Sequence, residues 1–283
     1  MNISTSNAIL EGAQVLRSAG VAEARRESGS LLAHTIGRDR TFVVTHADDP
    51  LQVAVVESFR RLIERRAAGE PLQYLTGHQE FFKLDFEVTP AVLIPRPETE
   101  FLVEIALERL KGNFDPFIAD IGTGSGCVAI SLLHELRDAH AIATDISAAA
   151  LSVAQRNADR HGVTDRLAVI ESDCFAKVNA DRLFSLIASN PPYIRDDEMG
   201  TLQREVGYEP RTALAGGPDG LDIVRRLLRE AAPFLAPDGH FVFEIGFGQN
   251  ALVEQLINRN VWELTEMRRD LQGIARAVVL RKK

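Results

Sequence analysis

Residues 117–133 place the tightest limit on what this chain can fold into. Phe117-Ile118-Ala119-Asp120-Ile121 is a short apolar strand. Gly122-Thr123-Gly124-Ser125-Gly126 is a glycine loop, and Cys127-Val128-Ala129-Ile130-Ser131-Leu132-Leu133 reads as a helix. Strand, glycine loop and helix in that order form a nucleotide-binding turn. Glycines let the backbone approach a ligand closely, and a helix N-terminus offers N–H groups without intrahelical partners. From Phe117 onward strand-length and helix-length segments alternate, which predicts a largely parallel sheet with helices on both faces. The pattern predicts helices near 125–136, 147–162, 221–236 and 248–259. It predicts later strands at 167–170, at 240–245 and as a final pair within 261–281.

The loop spacing is G-x-G-x-G, not the dinucleotide pattern G-x-G-x-x-G. Asp120 lies inside the end of the preceding strand, where a carboxylate would repel a pyrophosphate. It suits a cationic ligand, such as the sulfonium and amino group of S-adenosylmethionine. Ala141-Ile142-Ala143-Thr144 reads as the next strand and ends on Asp145. That acid falls close to the offset at which a carboxylate accepts from ribose hydroxyls. By itself Asp145 fits equally well as the N-cap of a helix starting near Ser147.

A third strand end carries the acceptor chemistry. Leu183-Phe184-Ser185-Leu186-Ile187-Ala188-Ser189 reads as a buried parallel strand and runs into Asn190-Pro191-Pro192-Tyr193. Prolines cannot donate a backbone N–H. Asn190 and the proline carbonyls therefore form a cluster of acceptors able to hold a planar amino group, with Tyr193 as an aromatic face beside them. A proline-rich strand terminator is the plain alternative.

Residues 5 to about 68 read as amphipathic helices. Their stripes are Ile9, Ala13 and Leu16, then Leu31, Leu32 and Ile36, then Val55, Phe59, Leu62 and Ile63, with Gly20 and Gly37 as stops for the first two. Phe82, Leu84, Phe86 and Val88 alternate with charged residues as a strand, and residues 71–90 are expected to form a hairpin. Pro95 and Pro97 lead into a helix whose inner face carries Phe101, Leu102, Ile105 and Ala106. The expected domains are 1–70, a helical bundle; 71–95, a hairpin linker; and 96–283, the α/β domain. Residues 194–218, charged and without periodicity, read as a substrate-facing loop.

Several further segments are similar to signature stretches of the PrmC/HemK family, the glutamine methyltransferases of peptide chain release factors. They are Gly69-Glu70-Pro71-Leu72-Gln73-Tyr74-Leu75-Thr76-Gly77 and Val92-Leu93-Ile94-Pro95-Arg96-Pro97-Glu98-Thr99-Glu100. Tyr208-Glu209-Pro210-Arg211, Ala213-Leu214-Ala215-Gly216-Gly217 and Phe243-Glu244-Ile245-Gly246 fit the same family. The resemblance runs from about residue 9 to the C-terminus. It implies a class I, Rossmann-like S-adenosylmethionine-dependent methyltransferase domain behind an N-terminal bundle that grips the protein substrate. It also implies methylation of the glutamine in the Gly-Gly-Gln loop of class I release factors. The expected catalytic residues are Asn190 and Tyr193. Gly122, Thr123, Gly124, Ser125, Gly126, Asp145, Cys174 and Asn190 are expected to hold the cofactor, and Asn190, Pro191, Pro192 and Tyr193 the substrate. Cys174 departs from the family pattern, which often has an aromatic there; Phe175 is the nearest substitute for packing adenine.

Composition narrows the classes. A net charge of −8 disfavours non-specific attraction to nucleic acid. The two cysteines suggest no disulfide framework. The seven histidines include no i, i+3 or i, i+4 pair, so no metal site is expected. Met1-Asn2-Ile3-Ser4-Thr5-Ser6 has neither the basic region nor the apolar core of a signal peptide, and no apolar run reaches membrane-spanning length. The expected protein is a cytoplasmic monomer serving translation termination, without membrane or direct nucleic-acid binding. The alternatives are an amino methyltransferase of DNA or ribosomal RNA bases, a dinucleotide oxidoreductase, or a non-catalytic module. The second conflicts with the loop spacing, the third with the intact motifs.

Overall fold

The computed structural model describes residues 3–179 and 181–283; Met1, Asn2 and Ala180 lie outside them, and so do the first two residues of the stretch read as unlike a signal peptide. The chain forms two compact units. One comprises residues 1–78 together with 203–208, the other 79–202 together with 209–283.

The first unit is helical: α1 (Thr5–Ser18), α2 (Ala24–Ile36), α3 (Arg40–Thr45), α4 (Val53–Ala67) and α5 (Leu72–Thr76). Ser4 caps α1 and Asp39 caps α3 by accepting from the backbone of Asn7 and Phe42. Gly37 ends α2 in the left-handed conformation, as expected of a C-terminal glycine. Leu16, Leu31, Leu32, Phe59 and Ile63 fill the core. On α4 the buried face turns slightly from the expected stripe: Val56 is buried, while Val55 and Leu62 are half-buried. Arg66, also buried, donates to Glu27 at 2.6 Å and to Glu205 at 3.0 Å. That pairing explains why the distant segment 203–208 belongs to this unit, which the sequence pattern did not reveal.

Leu72–Thr76 form α5 where the first arm of a hairpin was expected. The hairpin is shorter: β1 (His78–Phe81) and β2 (Leu84–Glu87). Phe82 and Lys83 make its tight turn with φ of 49° and 63°. The alternation at 82–88 therefore counted a turn residue as strand. No glycine or asparagine marked the turn.

The second unit continues with α6 (Glu100–Leu110), β3 (Phe117–Ile121), α7 (Cys127–Glu135), β4 (His140–Asp145), α8 (Ala148–Arg160), β5 (Leu167–Glu171) and β6 (Phe184–Ser189). It ends with α9 (Asp222–Glu230), β7 (Leu235–Glu244), α10 (Asn250–Leu256), β8 (Trp262–Arg269) and β9 (Ala275–Lys282). The sheet order is β5-β4-β3-β6-β7-β9-β8. The first five are parallel; β9 pairs antiparallel with both β7 and β8. Ile118, Leu186 and Val242 point to one face, where α6, α7 and α8 pack. Ile187, Phe241 and Phe243 point to the other, against α9 and α10. Both faces are covered, so the strands read as continuous apolar runs. The chain reverses direction of travel between β3 and β6, which is where an open α/β sheet leaves a ligand crevice beyond its strand ends.

Candidate functional site

Register brings the motifs level. Ile121 pairs with Thr144 on one side and with Ser189 on the other. Gly122, Asp145 and Asn190 consequently leave three adjacent strands at one height. A cavity of about 490 Å³ opens there, lined by the 121–125 loop, Cys127, Asp145, Cys174 and Asn190-Pro191-Pro192, among others.

The glycine loop holds its shape through dihedrals and one buried acid. Gly122, Gly124 and Gly126 have φ of 77°, 56° and 82°, values other residues rarely adopt. A Cβ on Gly126 would meet Ile130 Cδ1 at 2.8 Å, whereas one on Gly122 or Gly124 would meet nothing. Asp120 does not line the cavity. Its carboxylate is turned inward, accepting from Thr123 Oγ1 at 2.7 Å and from the Ala129 N–H at 3.2 Å. Burial pushes it up to about 6. Its role is to tie the loop to the start of α7, so the expectation that it faces a cationic ligand is corrected.

Asp145 does line the cavity. The N-cap of α8 is Ser147, which accepts from Ala150. The Asp145 carboxylate instead accepts from Gly124 N–H at 3.0 Å and Ser147 N–H at 2.9 Å. It joins the glycine loop to the next strand end, with its pKa raised by burial. Cys174 sits in the wall with φ of 49°; burial raises its thiol to about 11. Phe175 is buried against Phe234, with ring centroids 4.8 Å apart, and is not part of the lining. It therefore does not replace the missing aromatic. Ala91, Val92, Leu93, Ile146 and Ile223 supply the apolar wall.

Asn190 donates through Nδ2 to Thr99 Oγ1 at 3.0 Å, and Thr99 donates to Glu244 Oε2 at 2.8 Å. Among the described residues no donor reaches Asn190 Oδ1 or the Pro191 carbonyl. The Tyr193 side chain is absent from the lining; its phenol lies beside Glu244, and burial pushes it well above its ordinary value. Tyr193 is placed to support the edge from behind, which departs from the expected aromatic face. Gln249 braces the same stretch by donating to the Tyr193 carbonyl at 3.0 Å while accepting from Gly246 N–H at 2.8 Å. A Cβ on Gly220 would come within 2.3 Å of that carbonyl, so glycine is required there.

Residues 210–213 and 215 complete the wall. The preceding Glu209 is buried, paired with Arg96 and accepting from Ile94 N–H at 3.2 Å. Two family-like segments, 92–97 and 208–211, are thus stapled together. Their roles are visible only once the pairing is seen.

The lining fits S-adenosylmethionine. Open space over Gly122 and Gly124 lets a ligand approach the loop backbone closely, although the N–H groups of Gly122, Thr123, Gly124 and Gly126 already donate to Thr144, Asp145 and Thr123. Asp145 and Asp173 offer carboxylates, and Arg211 is the single cation among the described lining residues. A pyrophosphate would face more acid than base.

The chain is similar to known proteins over most of its length. Residues 7–77 match the model of the PrmC N-terminal domain, and residues 98–206 that of the methyltransferase small domain. A release factor glutamine methyltransferase of Moorella thermoacetica is 47% identical over 249 residues, covering 88% of this chain and 88% of that protein. One from Nitratidesulfovibrio vulgaris is 41% identical over 287 residues, covering 99% and 97%. Among solved structures, the hMettl16 catalytic domain in complex with a 3'UTR hairpin shares the fold, with a TM-score of 0.58 at 16% identity over 77% of this chain and 79% of that one. The chain belongs to the release factor glutamine methyltransferase family.

Proposed function

We propose that this protein methylates the side-chain amide nitrogen of the glutamine in the Gly-Gly-Gln loop of class I peptide chain release factors, acting in translation termination. The observation that carries the reading is the pair of unclaimed acceptors, Asn190 Oδ1 and the Pro191 carbonyl, at the cavity beside the glycine loop.

S-adenosylmethionine supplies an electrophilic methyl group when bound. The 122–126 loop and Asp145 would hold it, with Cys174 in the wall. An amide nitrogen is a weak nucleophile because its lone pair is delocalised into the carbonyl. Asn190 and Pro191 can each accept one N–H of the target. Both bonds strengthen as positive charge grows on nitrogen, so they favour the transition state over the ground state. The rest is positioning. The proton is lost readily from the cationic product nitrogen, so no dedicated base is needed. Glycines beside the target let a loop tip enter a narrow site.

The helical unit carries a cleft of about 590 Å³ whose lining includes Leu10, Val43 and Val44 with Arg17, Arg25 and Arg40. A basic face would also suit nucleic acid, but aliphatic walls with no aromatic ring among the described lining residues to stack on bases favour a protein surface. We read this unit as the grip on the release factor and the protein as a cytoplasmic monomer. Among the described residues no helix is long and apolar enough to cross a membrane.

The test is methyl transfer from labelled S-adenosylmethionine to a release factor, to the same factor with the motif glutamine replaced by alanine, and to ribosomal RNA. Label only on the first supports the reading. Label on RNA, or on the alanine variant, contradicts it.

A further inference from the structure

The orientation of an asparagine amide decides whether it presents an acceptor or a donor. A flipped Asn190 would turn N–H groups toward a target nitrogen that itself presents only N–H donors, so orientation is a condition of function. The two residues behind it determine that orientation. Glu244 is buried, and an ionised carboxylate only accepts. Thr99, also buried, has a single hydroxyl proton and gives it to Glu244 at 2.8 Å. Its oxygen is left to accept, and it accepts Asn190 Nδ2 at 3.0 Å. With Nδ2 held inward, Oδ1 points away from Thr99.

We propose that Thr99 and Glu244 are positioning residues for the methyl transfer, forming a one-way hydrogen-bond relay that locks Asn190 with its acceptor oxygen toward the cavity. The relay spans three separate stretches: the turn before α6, the end of β7 and the end of β6. Tyr193, Glu98 and Arg276 are the other ionisable groups acting on Glu244, and the Tyr193 phenol can add a second donor to the carboxylate. The inference rests on the glutamine-methylation reading for its consequence on rate, but not for the hydrogen bond itself.

The test compares Thr99→Val, which keeps the shape and loses the hydroxyl, with Thr99→Ser, which keeps the hydroxyl. Single-turnover transfer to release factor is measured at alkaline pH with cofactor saturating. Thr99→Val should lower the rate by about 10- to 100-fold, the scale of a misaligned reacting group, with cofactor affinity unchanged. Thr99→Ser should restore most of it. In an Asn190→Asp background Thr99→Val should add little, because a carboxylate has no wrong orientation. An equal loss in both backgrounds, or no loss in either, overturns the proposal. A second readout needs no substrate: solvent exchange of the Asn190 side-chain amide protons by NMR, identified by their absence in Asn190→Asp. Exchange should be slow in the wild type and in Thr99→Ser, and fast in Thr99→Val. Unchanged exchange in Thr99→Val overturns the relay even if the enzyme's substrate proves different.

Discussion

The glycine loop and the Asn190 edge leave neighbouring strands at the same height, yet they are held in different ways. The loop is built from backbone: three positive-φ glycines, a tether from Asp120 and a clasp from Asp145. The Asn190 edge is built from side chains, in a relay through two buried residues far away in sequence. The first suits binding, since a glycine loop that a ligand can approach closely and a carboxylate beside it act on a cofactor already charged. The second suits catalysis, since its acceptors act on charge that arises only during transfer. Changes at the two ends should therefore show up in different quantities.

The largest effect is expected at the side-chain end. Asn190→Ala should reduce kcat by about 10²–10³, the scale for one lost group of this kind, with cofactor affinity near that of the wild type. At the backbone end, Asp145→Ala should weaken cofactor binding by about 1.5–3 kcal/mol, as for a lost hydrogen bond to a charged group. Calorimetry is the check. A mutant that binds normally but melts far lower would make Asp145 a purely structural clasp.

A smaller effect concerns pH and again separates the ends. Burial raises Glu244 from 4.5 to about 7 and Asp120 from 3.8 to about 6. The folded protein thus keeps protons that the unfolded chain releases at lower pH. This stabilisation is complete below the unfolded values and is lost as pH rises through about 6 to 7. Denaturant unfolding should show stability falling across that window. Glu244→Gln should remove about 1–3 kcal/mol of this fall in stability, leaving the Asp120 part. If the slope is unchanged, Glu244 does not titrate as described. The ionised Glu244 that the relay needs is therefore the less stable form, a cost carried for orientation.

The smallest effect is expected from the thiols. Burial holds Cys174 at about 11 and Cys127 at about 12, so both stay protonated and weakly nucleophilic at neutral pH. Thiol-alkylating reagents should leave cofactor binding intact over times that modify a free thiol. Rapid loss of binding would mark Cys174 as exposed and reactive.

The sequence was legible wherever a motif was local. Strand, loop and helix at 117–133 and the acceptors at 190–192 follow from neighbouring residues. Their assembly follows from the parallel alternation. What depended on contacts between distant residues was not legible. Asp120 looked ligand-facing because its partners, Thr123 Oγ1 and Ala129 N–H, become apparent only once the loop closes. Tyr193 looked like a stacking face because Glu244 lies 51 positions on (244 − 193) and nothing in either motif points to the other. The same holds for Glu209 with Arg96, and for Glu205 with Arg66.

The acceptor account is tested most directly by single-turnover methyl transfer with cofactor and release factor saturating, comparing wild type, Asn190→Ala and Asn190→Asp. A carboxylate still accepts hydrogen bonds, so Asp should lose less than Ala, and Ala should fall by about two to three orders of magnitude. If Asn190→Ala transfers at the wild-type rate, the acceptors do not carry the reaction and Asn190-Pro191-Pro192-Tyr193 merely ends a strand.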